Sequence, residues 1–307
     1  MRLSNGFISI SINGFAVALL LSLLCPVAVC RAEETPPASD ASTEPFAATA
    51  AEEEGPEHGK INTPDPSVVD PGHFEIEASY LYANAKHSWN GNGNVFSHGA
   101  AQTDQAGLLI TAGALENLDF SVFGRTGWLK DKENGGLENG SGIGDASFNG
   151  RYRFLEDKEL NLEAAYIGGF TAPAGNHLDF NASGIDQDFW SWDQTLVATK
   201  DWGAWTANAD VGFSLPFGEH LEGTRGIANA DLAGGYQVLS WLQPELELNY
   251  AHTFMAGAGD QDVVATTIGL VMPIDERLRI DTGVQQGLWG RNADRMTSLY
   301  IAAKTAF

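Results

Sequence analysis

The side chains of this chain able to do chemistry are mostly carboxylates and guanidinium groups set at every second position of otherwise apolar runs. Asp119, Arg125, Arg151, Arg153, Glu163, Asp210, Asp231, Glu245, Glu247, Arg279 and Asp281 all occupy the polar phase of such runs, as do Glu75, Glu77 and Asp145. Residues two apart on an extended chain share a face, so these groups are expected on one surface. The arginines gather between positions 125 and 153, while the later carboxylates have little basic compensation. Opposed basic and acidic walls would set up a transverse field that sorts polar or zwitterionic solutes. The alternative is that the charges pair into ladders filling a narrow interior. Closing a hairpin about Glu156–Glu159 would set Arg151 opposite Glu163 and Arg153 opposite Asn161, which favours pairing at that place.

Other chemistries have thinner support. Asp179, Asn181, Ser183, Asp186 and Asp188 offer oxygen atoms in one loop, with the alternation that opens a calcium loop. Trp190 stands where the bidentate Glu of such a loop belongs, so a solvated acidic loop is the preferred reading. The chain has no Gly-x-Ser-x-Gly elbow and no His-Glu-x-x-His pair, and Gly140, Gly142 and Gly144 miss the dinucleotide-binding spacing. His87, His98, His177, His220 and His252 fall in or near connections, which keeps a membrane hydrolase as a third reading. Both cysteines, Cys25 and Cys30, precede the patterned region, so no disulfide or thiolate site is expected there and no cofactor is called for. A net charge of −23 argues against nucleic acid as a partner.

The elements that must position these groups read as strands. Residues 1–32 carry a short apolar core, Phe15–Leu24, broken by Pro26, and read as a signal peptide, with cleavage before Glu33 or after Cys30. Residues 33–72 form an acidic Pro/Ala/Glu-rich segment too poor in apolar side chains to fold alone, expected as a disordered periplasmic tail. From 73 to 307 the alternation has period two: Leu160, Leu162, Ala164 and Tyr166 oppose Asn161 and Glu163, and the Trp205–Leu215 and Glu245–Tyr250 runs repeat it. The runs Phe74–Ala85, Leu118–Leu129, Ile143–Leu155 and Ile227–Trp241 are longer than ordinary soluble strands and reach the roughly nine to eleven residues that cross a bilayer.

Connections alternate in length. Tight links at Ala114–Asn117, Glu156–Glu159, Lys200–Gly203, Trp241–Pro244 and Pro273–Glu276 alternate with longer ones such as Lys86–Ala100, Lys130–Gly142 and Ala172–Gln187. Short periplasmic turns and long outside loops mark outer-membrane barrels. Trp128, Trp190, Trp192, Trp202, Trp205, Trp241 and Trp289 sit near strand ends, as in aromatic girdles. The fold expected is an all-β transmembrane up-and-down barrel of about twelve antiparallel strands, with Leu162, Tyr166, Val211 and Phe213 against lipid. Phe307 ends the last alternating run and is expected to close the barrel beside Phe74 and Ile76.

The run Gly142-Ile-Gly-Asp-Ala-Ser-Phe-Asn-Gly-Arg-Tyr-Arg-Phe154 resembles the central motif of the phenol meta-pathway (MetA-type) outer-membrane family, and Thr171-Ala-Pro-Ala-Gly175 and Leu215-Pro-Phe-Gly218 resemble its strand-then-Pro-x-Gly pattern. The resemblance covers most of 73–307 and implies a barrel that carries hydrophobic or aromatic compounds across the outer membrane. The partners then expected are outer-membrane lipids, the barrel-assembly machinery through the C-terminal strand, and a small solute. A passive channel is the first reading, and a non-conducting structural or surface-binding barrel the second.

Overall fold

The computed structural model describes residues 60–131, 138–174, 189–218, 221, 223–257 and 259–307. Strands follow in chain order: β1 Phe74–Trp89, β2 Val95–Leu115, β3 Leu118–Asp131, β4 Glu138–Asp157, β5 Leu162–Ala172 and β6 Trp190–Trp202. They continue with β7 Trp205–Phe217, β8 Thr224–Tyr236, β9 Gln243–Met255, β10 Gln261–Pro273, β11 Leu278–Arg291 and β12 Ala293–Ala306. Each pairs antiparallel with its sequence neighbours and β12 returns to β1, giving the closed twelve-stranded barrel that the alternation predicts. The signal segment, the tail before Lys60 and the Asp179–Asp188 loop lie outside the described residues.

Which face is apolar separates this barrel from a soluble one. Ile143 and Ile268 keep 66% and 65% of their surface open on the outside, whereas Asn208 and Glu247 inside keep 1% and 0%. A water-soluble protein does the reverse; hydrocarbon as the outer solvent accounts for it. Bands of outward aromatics cap the apolar zone, with Trp205 packed on Tyr236 at the end of the short turns and Trp190 stacked on Phe217 at the other. The side of the short turns is taken as periplasmic.

Closure is made at β1 and β12, in register from Glu75↔Ala306 to Trp89↔Ala293 with one bulge. Phe307 extends that seam: it exchanges main-chain hydrogen bonds with Phe74, and the two rings stack with centroids 4.9 Å apart.

The turns are set by local side chains. Gly203, with φ 61°, takes the first of two central positions between Trp202 and Trp205, where a type II′ hairpin needs glycine. Asp157 Oδ1 accepts from the N–H groups of Glu159 and Leu160, and Asn161 turns at φ 47°. The link therefore spans Lys158–Asn161, and a bulge at Phe154 shifts the pairing. This corrects the expected register: Arg151 lies opposite Ile167, Arg153 opposite Ala165, and Glu163 opposite Glu156.

Other connections also differ from expectation, among them Lys130–Gly142, where β3 runs to Asp131 and β4 starts at Glu138. In place of a long Lys86–Ala100 loop, β1 and β2 extend into a hairpin, because Asn90 Oδ1 caps the N–H groups of Asn92 and Asn94 at 3.0 Å. The β8–β9 turn falls at Gln237–Leu242, leaving Pro244 within β9.

Val211 and Phe213 lie on the outward face of β7, with Phe213 packed against Phe254 of β9. Leu162, at 7% exposure, is too covered to probe lipid contact. Val211 is central in its strand and Phe217 ends it, so Val211→Arg should lower the unfolding free energy in lipid by about 2–4 kcal/mol, against about 0–1 kcal/mol for Phe217→Arg at the interface. Urea titration of the refolded barrel measures both, and equal costs would reject the depth assignment.

Candidate functional site

The lumen holds a length of chain. Residues 60–72, part of the stretch expected as a disordered tail, cross the barrel interior ahead of β1 and touch wall after wall. Near β1, the main chain of Asp70 and Val69 lies so close to Gly113 of β2 that a side chain there would collide, and Pro71 bridges to Gly113. Val69 N donates to Asp119 of β3 at 3.0 Å, Ser67 Oγ to Glu163 of β5 at 3.2 Å, and Arg151 of β4 donates to Asp65 O at 3.1 Å. Asn208 of β7 donates to Pro64 O at 3.0 Å.

The far end of the segment is held most firmly. Glu247 Oε1 of β9 accepts from the N–H groups of Ile61 and Asn62 at 2.8 and 3.1 Å, while Asn62 Nδ2 donates to Thr267 of β10 at 2.6 Å. Lys60 Nζ lies 3.3 Å from Glu245 Oε1, both side chains fully buried. The Ile61 side chain fills a recess that exists because Gly269 and Gly283 carry no side chain.

The charged residues read from the alternation face this interior, and their partners are now specific. Arg151 pairs with Asp119, its cross-strand neighbour. Arg153 meets Glu156 at 2.8 Å and Glu163 at 3.7 Å, so Glu163 belongs to Arg153 rather than to Arg151. Arg125 reaches Asp145 at 3.4 Å, farther toward the outer rim than Arg151. Arg279 is bound to Asp281 at 2.9 Å. Glu75 pairs with Lys304 at 2.6 Å, and Glu77 accepts from Tyr300 at 3.0 Å.

Asp210 and Asp231 face each other across β7 and β8, with Asn229 donating to both at 3.3 and 3.4 Å. Together with Glu245 and Glu247 they form the acidic wall, and the cation that meets it is Lys60, brought by the segment itself. The opposed-wall reading therefore has an added member: the field between Arg151 and β7–β9 is bridged by a crossing chain. Between that chain and the walls of β1–β5, β11 and β12 a cavity of about 360 Å³ remains, lined by Arg151, Arg279, Lys304 and Tyr300 together with apolar Leu109 and Ile167.

Sequence reasoning missed Lys60, Ile61 and Asn62. The available signal was a basic and an apolar residue following the acidic tract, just ahead of a barrel strand with an acidic interior.

Hydrogen bonds to a charged group contribute about 1.5–3 kcal/mol each, so Glu247→Ala should loosen the segment markedly. Trypsin should cut after Lys60 at least about tenfold faster in this variant than in the unaltered barrel, followed by mass spectrometry of the folded protein. Equal cleavage rates would show that the segment is held elsewhere.

Comparison with known proteins agrees with this architecture. A crystal structure of the COG4313 outer membrane channel from Pseudomonas putida F1 superposes with a TM-score of 0.70 at 14% identity, covering 81% of this chain and all of that one. The translocator domain of the autotransporter NalP from Neisseria meningitidis is more distant, with a TM-score of 0.48, 12% identity and coverage of 79% and 91%. The CymD monoaromatic hydrocarbon channel gives 0.43 at 9% identity, covering 78% and 89%. No curated protein matches at the level of sequence. The family described as "Putative MetA-pathway of phenol degradation" matches residues 62–305, from the luminal segment to the closing strand. The chain belongs to that family, as an outer-membrane β-barrel of channel-like build.

Proposed function

We propose that this barrel is a passive channel for the uptake of small compounds, hydrophobic or aromatic ones among them. The observation that carries the proposal is the incompletely filled lumen: the crossing segment and the ion pairs leave a 360 Å³ cavity beside Arg151, Tyr300, Leu109 and Ile167. Its lining mixes apolar side chains with fixed polar groups, the composition that suits a small ring with one polar substituent. The phenol-degradation description of the family and the channel character of the Pseudomonas putida relative support the same reading.

Selection would then rest on the width left beside the segment and on the paired charges around it, with no energy input. A specific observation also favours a closed, non-conducting barrel: the segment is tied to strands on several sides of the lumen.

Single-channel recording in planar bilayers separates the two. The full chain should give small steps that phenol-sized aromatics reduce, and removing residues 60–69 should raise the step conductance at least about twofold, since a wider water-filled path conducts more. Silence from both proteins, each shown to be folded by heat-modifiable electrophoretic mobility, would overturn the channel and leave the structural barrel.

A further inference from the structure

We propose that the outward face of the outer rim, from β8 through β12 to β1, is a docking site for the phosphorylated glycolipid of the outer leaflet, lipopolysaccharide. The proposal rests on the sidedness set by the short turns and is independent of what passes through the lumen.

The chain carries a net charge of −23, with 17 Lys and Arg in all. Against that background, Arg225, His252, Arg291, Arg295, His87 and Lys86 collect at the outer ends of β8, β9, β11, β12 and β1. Strand parity places the His252, Asp262 and Arg291 part of the row on the outward face. His252 shares its face of β9 with Leu248, Tyr250 and Phe254, which are open to the outside. Asp262 lies opposite His252 on one side and Arg291 on the other, and Arg295 lies opposite His87.

Within the row, His252, Arg291 and Arg295 are held in place. The Asp262 carboxylate receives Tyr250 Oη at 2.8 Å, His252 Nδ1 at 2.7 Å and Arg291 Nε at 2.6 Å. A second carboxylate, Asp260, sits 3.8 Å from His252 Nε2 and accepts from Met255 N at 2.9 Å. Arg295 Nε donates to Gly287 O at 3.3 Å. The His252 ring is set edge-on to Phe254 with centroids 4.3 Å apart, and Trp289 lies on the same outer rim.

Ionised groups on the lipid-facing wall are costly in hydrocarbon and tolerated near the interface. The aromatic neighbours mark that level. The Arg291 side chain remains 44% exposed although it is bound to Asp262. A guanidinium fixed by one carboxylate, with further N–H groups facing outward, is suited to bidentate phosphate recognition. At this height on this face, the phosphates on offer belong to lipid headgroups.

The test uses the full barrel in detergent, titrated with bisphosphorylated lipid A and with enzymatically dephosphorylated lipid A and read by native mass spectrometry. The phosphorylated lipid should bind at least about tenfold more tightly, the strength of one charge-assisted hydrogen bond. The double variant Lys86→Gln/Arg295→Gln, which leaves the Asp262 cluster whole, should lose most of that preference, and adding Arg291→Gln should abolish it. Lys158→Gln, in the turn at the opposite end, should bind as the unaltered protein does. Equal binding of the two lipids, or an unchanged preference in the triple variant, would overturn the proposal. Complete displacement of lipid A by millimolar inorganic phosphate would overturn it too, by showing a free-anion site.

Discussion

Hydrocarbon offers no hydrogen-bond partner to a main-chain N–H or C=O, and the rest of this molecule follows from that. Each strand must find partners on both edges, so the sheet closes at β1 and β12, with the Phe74–Phe307 stack sealing the periplasmic end of the seam. Closure fixes an inside. Since the outside is solvated by lipid, large polar groups on the membrane-spanning strands are driven inward except near the outer rim, where Asp262 and Arg291 pair on the outward face, and the lumen becomes crowded with charge. Ion pairs such as Arg151–Asp119 and Arg279–Asp281 answer part of that crowding. The acidic wall of β7–β9 is answered from elsewhere in the chain, by Lys60 and by the N–H groups of Ile61 and Asn62. Removing one partner of such a buried pair costs about 3–5 kcal/mol, so wall and segment depend on one another.

This division explains what can be read from residues alone. The barrel, its strand number and the facing of Asp119, Arg151, Asp210 and Glu247 follow from a period of two, because a one-residue slip would turn every charge toward lipid. Partner choice does not follow from parity. Arg151 met Asp119 rather than Glu163 because the β4–β5 pairing is fixed by a bulge at Phe154 and by the Asp157 and Asn161 turn, features with no periodic trace.

The luminal segment was hidden for a different reason. Its anchors are largely main-chain atoms: the N–H groups of Ile61, Asn62 and Val69 and the carbonyls of Pro64 and Asp65. Every sequence carries those atoms, so they leave no mark in composition. The specific part is written on the receiving side, in the acids of the wall and in glycines 113, 269 and 283 that leave it room. Low hydrophobicity argues against a segment folding by itself, yet it does not prevent such a segment from being folded by a polar cavity already built around it.

The segment is covalently continuous with β1, and this makes it a tethered ligand of its own barrel. A short flexible connection holds such a ligand at an effective concentration on the order of millimolar. Any solute that uses Glu247, Asp119 or Arg151 therefore competes with an occupant that cannot diffuse away. Abundance outside the cell would count for less than fit: a weakly held molecule at micromolar levels would leave the tether in place, whereas one that fits the cavity beside it need not compete at all.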